Sequence, residues 1–162
     1  MELPVILLSV KTNAVAQDTP LTPVDLILMI GWFVGFIIEA TADSQKMAFR
    51  NDPANKSKWI NIGIWRYSRH PNYFGEILMW SCLAGLASNT ALVSGAPDLL
   101  YLHSAWLSPV FTTVLLFFVS GVPLITKSGM KKWGSDPEYV HYMKNTSMCI
   151  PWTPAKPVGK KE

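Results

Sequence analysis

A polar stretch at the start of an apolar run holds the residue types most capable of chemistry in this sequence. Residues 65–80 read WRYSRHPNYFGEILMW. Proline is favoured in the first turn of a helix, so this stretch predicts a helix that begins near Pro71. The unsatisfied backbone N–H groups at a helix start attract anions, and Arg66, Arg69 and His70 lie directly upstream. The arrangement therefore predicts an anion site, for which phosphate is the natural candidate.

Two further polar side chains lie on the predicted helix itself. Asn72 and Glu76 are one turn apart, at positions i and i+4, and share a face. The Glu76 carboxylate would repel phosphate, but it can accept hydrogen bonds from a ribose hydroxyl, an amide or an arginine. Two roles are open to His70, a hydrogen bond within the fold or a contact with a ligand. Tyr67 and Tyr73 are also typical of the aromatic belt at a membrane interface.

A second group of polar side chains has helical spacing. Its members are separated by four, three and four residues, which places them on one face of a continuous helix. They are Glu39, Asp43, Lys46 and Arg50. This face either contributes to a site or is a solvated extension held by ion pairs within the helix. The segment RNDPANKSK at residues 50–58 then predicts the end of the helix, because the residue before proline disfavours helical backbone and Asn and Asp suit turns.

Long uncharged runs predict that the chain spans a membrane. Of the 162 residues, 49% are hydrophobic and only 15% are charged. Residues 77–97 and 99–126 contain no Asp, Glu, Lys or Arg, and each run exceeds the roughly 20 residues that a bilayer-spanning helix needs. A third span is predicted at residues 24–41. A soluble domain with two buried helices is the alternative, but so small a chain has too little polar surface to cover them. The sequence therefore predicts an all-α, multi-span transmembrane helical bundle.

The basic residues predict the orientation of these spans. Residues 42–72 hold six Lys and Arg and the tail after Thr126 holds seven, whereas the connection at residues 95–103 holds none. Cytoplasmic loops accumulate Lys and Arg, so both basic segments and the C-terminus are predicted to be cytosolic, in an endomembrane such as the endoplasmic reticulum. Attraction of anionic lipid headgroups is the alternative explanation for a single lysine.

Three segments are predicted along the chain. Residues 1–20 contain LPVILLSV, which is too short to span a membrane and fits the remnant of a preceding helix. A secretory signal is the alternative, since AVAQD imitates a cleavage site, although Glu2 sits where basic residues belong. Residues 21–152 are predicted to be the membrane domain. Residues 153–162 are predicted to be a flexible basic tail.

No motif in the sequence indicates a metal site or a nucleic-acid module. Cys82 falls in a predicted span and Cys149 near the tail, so the two do not form a zinc knuckle or a redox pair. The aromatic and basic residues lie at membrane boundaries rather than in a nucleic-acid motif. We therefore expect no metal ligands and no nucleic-acid partner.

The ordered combination of these motifs resembles the C-terminal domain of the steroid 5-alpha-reductase superfamily. It consists of EATADSQKMAFR, then GIWRYSRHPNYFGE before a transmembrane helix, then SGVP, KKWGSDPEY and IPW. The resemblance extends from about Leu21 to Trp152 and is strongest to the uncharacterised bacterial and eukaryotic branch. The wider group includes sterol reductases that bind NADPH and, more distantly, isoprenylcysteine carboxyl methyltransferases that bind S-adenosylmethionine.

This resemblance implies a membrane-embedded, NADPH-dependent reductase of a hydrophobic enone-type lipid or steroid. The methyltransferases generally lack the pairing of Asn72 with Glu76, and an amide and a carboxylate one turn apart can together recognise a carboxamide, which favours NADPH. Tyr73 is the candidate proton donor, because its phenol lies near the expected hydride end. The implied cofactor-binding residues are Glu39, Asp43, Arg50, Lys58, Arg66, Arg69, His70, Asn72, Glu76, Tyr139 and Tyr142.

The sequence departs from the family pattern in two respects. Relatives often carry a glutamate at the position of Thr126. Family reductases also have earlier helices that line the lipid pocket, and this chain begins after them. Three alternatives therefore stay open: a partner chain or homo-oligomer completes the pocket, the chain is a non-catalytic or truncated membrane subunit, or it is an S-adenosylmethionine-dependent methyltransferase. Membrane lipids are expected around it in each case.

Overall fold

The fold consists of helices and turns. In a computed structural model, residues 21–94, 99–152 and 154 are described, and they contain no β-strand. The five α-helices are α1 Pro23–Asn51, α2 Pro71–Val93, α3 Leu99–Val114, α4 Val122–Trp133 and α5 Pro137–Asn145. Two 3-10 turns, Pro53–Asn55 and Gly63–Arg66, lie between α1 and α2. The predicted all-α fold is confirmed. The predicted N-terminal segment 1–20 and, except for Pro154, the predicted tail lie outside the described residues.

Among the described residues, three helical stretches are long and apolar enough to cross a membrane, as judged by length and composition. They are Pro23–Asn51, Pro71–Val93 and His103–Trp133. The predicted start of the second helix at Pro71 is confirmed. Helix α1 includes the polar face formed by Glu39, Asp43, Lys46 and Arg50. It ends at Asn51, before Asp52 and Pro53. Asp52 caps the following turn, since its Oδ1 accepts from the Ala54 N–H at 2.9 Å.

The span predicted at residues 99–126 differs from a regular α-helix. A π-helical turn, Leu115–Val119, follows α3, and the helix is interrupted at Ser120 and Gly121 before α4 begins. A side chain at residue 121 would clash with the Leu116 carbonyl oxygen, so only glycine fits this bend. Absence of charge predicts burial in lipid but carries no information on such a break, which explains why the uncharged run predicted a single helix over residues 99–126.

The chain divides into two compact units. Among the described residues, the first unit comprises 21–36, 76–94 and 99–115, and the second comprises 37–75, 116–152 and 154. Small residues form the core of the first unit: Ala84, Ala87 and Ala105 are almost fully buried. Large apolar side chains point outward instead, and Ile27 is 68% exposed. This inverted pattern is typical of helices that pack through small residues and face lipid.

Close approach of helices holds the first unit together. A Cβ at Gly31 would lie 2.8 Å from the Cys82 sulfur, so these two helix surfaces are in contact. At the start of α1, the Thr22 N–H donates to Asp25 Oδ2 at 2.8 Å and the Asp25 N–H donates to Thr22 Oγ1 at 3.2 Å, which is a capping box. Asn89 Nδ2 donates to Asp25 Oδ1 at 2.8 Å. This bond satisfies a buried carboxylate between α1 and α2.

Candidate functional site

A cavity of about 180 Å³ lies within the second unit. The end of α1, the connection to α2, the start of α2 and helices α4 and α5 all contribute to its wall. Four of its lining side chains are cationic, and none of the described residues that line it is Asp or Glu. The four are Lys46, Arg50, Lys58 and Arg69. We call it the cationic cavity.

The end of α1 holds the turn that carries Trp65. The Ile64 N–H donates to Gln45 Oε1 at 2.9 Å, and Trp65 Nε1 donates to the Ala42 carbonyl oxygen at 3.0 Å. Gly63 has a φ of +54°, which favours glycine, and a Cβ there would collide with the Gln45 side chain. Trp65 is consequently buried, with its ring under Lys46 Nζ at 5.6 Å from the centroid. This contact positions Lys46 at the cavity.

The C-terminal segment holds the residues just before α2. The Arg69 N–H donates to the Ser147 carbonyl oxygen at 2.8 Å, and Ser68 Oγ donates to the Cys149 carbonyl oxygen at 2.6 Å. Helix α5 adds a bond from the Tyr142 hydroxyl to the Trp65 carbonyl oxygen at 2.8 Å. Residues far apart in sequence therefore converge on Arg69 and position it at the cavity wall.

An aromatic cluster forms another part of the wall. The Trp59 ring lies 5.2 Å from Tyr139 and 6.2 Å from Trp133, measured between centroids. Trp133 Nε1 donates to the Ser57 carbonyl oxygen at 2.7 Å, which fixes α4 against the α1–α2 connection. The Tyr139 hydroxyl packs against Gly129, where a Cβ would overlap it. The cluster presents flat aromatic surfaces beside the cations.

Three buried polar atoms of the lining residues have no hydrogen-bond partner: Trp59 Nε1, Arg69 Nε and Asn72 Oδ1. Asn72 uses its amino group on Asp43 Oδ1 at 3.3 Å, which leaves its oxygen as an unused acceptor. Arg69 uses one terminal nitrogen on the Met143 sulfur at 3.8 Å. Buried polar groups are rarely left unsatisfied in proteins. Two donors and an acceptor at one cavity therefore indicate a ligand with both acceptor and donor groups.

Burial disfavours the charged forms of one histidine and two tyrosines that line the cavity. Burial lowers the pKa of His70 to about 4, and the positive charges of Arg69 and Lys46 act in the same direction. The His70 ring stacks on Tyr73 with a centroid distance of 5.0 Å. Burial raises the pKa of Tyr139 and of Tyr142, against a smaller opposing effect of Arg69. At neutral pH, these histidine and tyrosine side chains therefore add no charge to the cavity wall.

Most of the sequence-predicted site residues line this cavity. They are Arg50, Lys58, Arg69, His70, Asn72, Tyr73, Tyr139 and Tyr142. Four others, Glu39, Asp43, Arg66 and Glu76, are not among the lining residues. Asp43 acts on the wall through its bond to Asn72, and Arg66 is exposed on the Gly63–Arg66 turn. Binding roles for these four and for the lining residues stay predictions.

Several residues that line the cavity were not among those predicted from the sequence. Lys46 belongs to the recognised α1 stripe and lies one turn before Arg50, so helical spacing carried a signal for it. Thr126 also lines the cavity, at the position where the resemblance implies a glutamate. The remaining lining aromatics include Trp59, Trp65 and Trp133. Tryptophans near predicted spans are equally typical of an aromatic belt at a membrane interface, so the sequence did not indicate that these three belong to a site.

The fold and its apolar helices define a multi-span, all-α membrane protein. Residues 1–146 match the family described as protein of unknown function DUF1295, so the chain belongs to that family, which is steroid 5-alpha-reductase-like. No solved structure gives a significant match. Membership of this family confirms the resemblance to steroid reductases at the level of the family. The more distant relation to isoprenylcysteine carboxyl methyltransferases stays a prediction.

Parts of the chain are similar to Delta(14)-sterol reductases. It is 36% identical over 74 residues to the enzyme of Ascobolus immersus, and 37% of this chain and 17% of the relative are covered. It is 31% identical over 81 residues to Delta(14)-sterol reductase TM7SF2 of Mus musculus, covering 40% and 19%. It is 35% identical over 68 residues to Delta(14)-sterol reductase LBR of Gallus gallus, covering 32% and 11%. The matches thus span less than a fifth of each relative.

Proposed function

We propose that this protein is a membrane-embedded reductase that uses NADPH to reduce a carbon–carbon double bond of a hydrophobic enone-type or sterol-like lipid. The observation that carries the proposal is the cationic cavity, with four positive side chains, no lining carboxylate among the described residues, and three buried polar atoms without a partner. Similarity to Delta(14)-sterol reductases supports the reaction class.

The charge of the cavity suits NADPH better than S-adenosylmethionine. NADPH carries a pyrophosphate and a 2′-phosphate, and a phosphate monoester contributes about −1.5 to −2 charges near neutral pH. Arginine and lysine bind such groups through charge-assisted hydrogen bonds. S-adenosylmethionine has no phosphate and bears a positive sulfonium. Four cations without a lining carboxylate would repel that sulfonium, so the cavity favours the dinucleotide.

The polar side chains of the cavity offer partners for two parts of the cofactor. Lys46, Arg50 and Arg69 would hold its phosphates, and the free oxygen of Asn72 would accept from the carboxamide of its nicotinamide ring. When bound, NADPH supplies the hydride for the reduction. The chain orients the reacting groups and supplies a proton, for which the Tyr73 hydroxyl is the candidate donor at the cavity wall.

The lipid substrate and the membrane belong to the same proposal. The exposed apolar side chains of α1 suit a lipid environment. The segments that line the cavity hold most of the Lys and Arg residues, and cytoplasmic segments accumulate these residues. We therefore place the cavity at the cytosolic face of an endomembrane such as the endoplasmic reticulum. A partner chain or a second copy would complete the lipid pocket if the chain alone binds the cofactor without turnover.

Binding measurements on the detergent-purified protein test the cofactor assignment. We expect NADPH binding by calorimetry, and we expect Arg50→Ala and Arg69→Ala each to weaken it by roughly tenfold or more, because each removes a charged hydrogen-bond donor. Lys131→Ala is the matched control, since Lys131 is an exposed cation that does not line the cavity. NADPH binding that is unchanged in both Arg50→Ala and Arg69→Ala would refute the site assignment.

Two other outcomes distinguish the alternative functions. Binding of S-adenosylmethionine without NADPH would replace the reductase by a methyltransferase. NADPH binding without oxidation, tested with a panel of enone and sterol lipids and with the chain reconstituted alone, would indicate a subunit that needs a partner. Oxidation of NADPH that requires one of these lipids supports the reductase.

A further inference from the structure

Trp59 differs from the other tryptophans of the cavity in the state of its indole N–H. Trp65 Nε1 donates to the Ala42 carbonyl oxygen at 3.0 Å, and Trp133 Nε1 donates to the Ser57 carbonyl oxygen at 2.7 Å. Trp59 Nε1 is buried and has no partner. Its ring is held in place by Tyr139 at 5.2 Å and by Trp133 at 6.2 Å. The indole N–H is thus a fixed donor that nothing in the described chain uses.

A second unused donor belongs to another residue that lines the same cavity. Arg69 Nε is buried without a partner, and its charge acts on Tyr139, the residue that packs against Trp59. Lys58, the neighbour of Trp59 in sequence, also lines the cavity. The local groups are therefore donors and cations. They suit a negatively charged ligand group that only accepts hydrogen bonds, which is the chemistry of a phosphoryl oxygen.

We infer that the Trp59 indole N–H and Arg69 Nε–H donate hydrogen bonds to phosphoryl oxygens of the bound ligand, so that Trp59 is a binding residue rather than only a packing residue. This inference rests on the proposed binding of NADPH and specifies its contacts. The phosphoryl oxygens belong either to the pyrophosphate or to the 2′-phosphate. Comparison of NADPH with NADH separates these two sources, because NADH lacks the 2′-phosphate.

Trp59→Phe tests the contact directly, since it keeps an aromatic ring and removes the N–H. We expect its NADPH affinity to fall roughly tenfold, as for loss of a hydrogen bond to a charged group. An equal fall for NADH assigns the contact to the pyrophosphate, and a fall for NADPH alone assigns it to the 2′-phosphate. Unchanged affinity for both coenzymes would overturn the inference.

Two controls separate binding from folding. Trp106→Phe removes an indole that donates to Ser88 Oγ at 3.2 Å in the first unit, and it should leave NADPH affinity unchanged. Without ligand, we expect Trp133→Phe to lower the melting temperature, because it breaks an internal hydrogen bond. We expect Trp59→Phe to leave the melting temperature unchanged, because its N–H has no internal partner. A purely structural Trp59 would show the opposite pattern, with lost stability and retained affinity.

A spectroscopic test keeps this inference separate from the proposed function. In protein labelled with ¹⁵N at the indoles, the Trp59 signal is the one that disappears in Trp59→Phe. We expect inorganic pyrophosphate to shift this signal in the wild-type protein. If NADPH fails to bind but pyrophosphate shifts the signal, the proposed function falls and the phosphoryl site stands. If NADPH binds and the Trp59 signal does not respond to NADPH or pyrophosphate, the inference falls and the proposed function stands.

Discussion

At the scale of single residues, the cavity wall is defined by side chains whose hydrogen-bonding capacity is only partly used. Asn72 shows this most clearly, because Asp43 engages its amino group and thereby directs which end of the amide stays available. His70 shows a different state: it is buried, stacked on Tyr73 and neutral at pH 7. A buried histidine beside two cations resists protonation, and this has a measurable effect on stability.

We predict that the ligand-free protein loses about 2 kcal/mol of its free energy of unfolding through His70 when the pH falls from 7 to 5. The ordinary histidine pKa is about 6.5, and in the folded protein it is lowered to about 4. Below pH 6.5 the unfolded chain binds a proton that the folded chain does not, so the unfolded state is favoured as pH falls towards 4. Well above pH 6.5 both states are neutral and His70 contributes no pH dependence.

The measurement is the melting temperature of wild-type protein and of His70→Gln across this pH range in detergent. The melting temperature of the wild type minus that of the variant should be constant above pH 7 and should decrease as the pH falls below 6.5, because the variant lacks the titrating group. Parallel curves throughout would show that His70 is accessible to protons in the folded state.

At the scale of elements, close contacts of glycines set where the helices meet. Gly129 on α4 leaves space for the Tyr139 hydroxyl of α5, and Gly63 allows the turn that docks on Gln45. These contacts bring Tyr139 into the aromatic cluster next to Trp59. The packing of α5 on α4 therefore requires a glycine at residue 129, next to the Tyr139 hydroxyl.

Gly129→Ala should destabilise the protein by about 1–3 kcal/mol, as expected for overpacking at a tight contact. Tyr139→Phe in the same chain should recover most of this loss, because it removes the oxygen that the new methyl group would overlap. Thermal unfolding of the two single variants and the double variant gives the coupling energy. Ser128→Ala, at the exposed neighbouring position, is the control and should be nearly neutral. Additive effects of the two changes would contradict the proposed contact.

At the scale of the whole molecule, apolar helices and basic segments alternate along the chain. The helices expose large apolar side chains, such as Ile27 and Phe33, that would be unfavourable in water. The Lys and Arg residues concentrate in residues 42–72 and after Thr126. This distribution predicts one orientation in the membrane, with the cationic cavity on the cytosolic side.

Cysteine labelling in sealed microsomes tests this orientation. In a background with Cys82 and Cys149 replaced by serine, we expect Lys56→Cys and Lys160→Cys to react with an impermeant maleimide in intact vesicles. Gly95→Cys should react only after detergent is added, because residues 95–103 carry no Lys or Arg and are predicted to face the lumen. The reverse pattern would mean that the charge bias does not determine the topology of this chain.

Local signals in the sequence determined the helix class and several helix ends. Uncharged length predicts a span, and Pro71 and the Asp52–Pro53 pair predict helix ends, because these effects depend on neighbouring residues alone. Only the tertiary structure decided which polar side chains share a cavity. Arg69 is placed there and Arg66 is not, although both precede the same helix, because Ser147 holds the backbone of Arg69 from a segment far away in sequence. The unused indole of Trp59 likewise depends on packing against Tyr139 and Trp133, which no local pattern records.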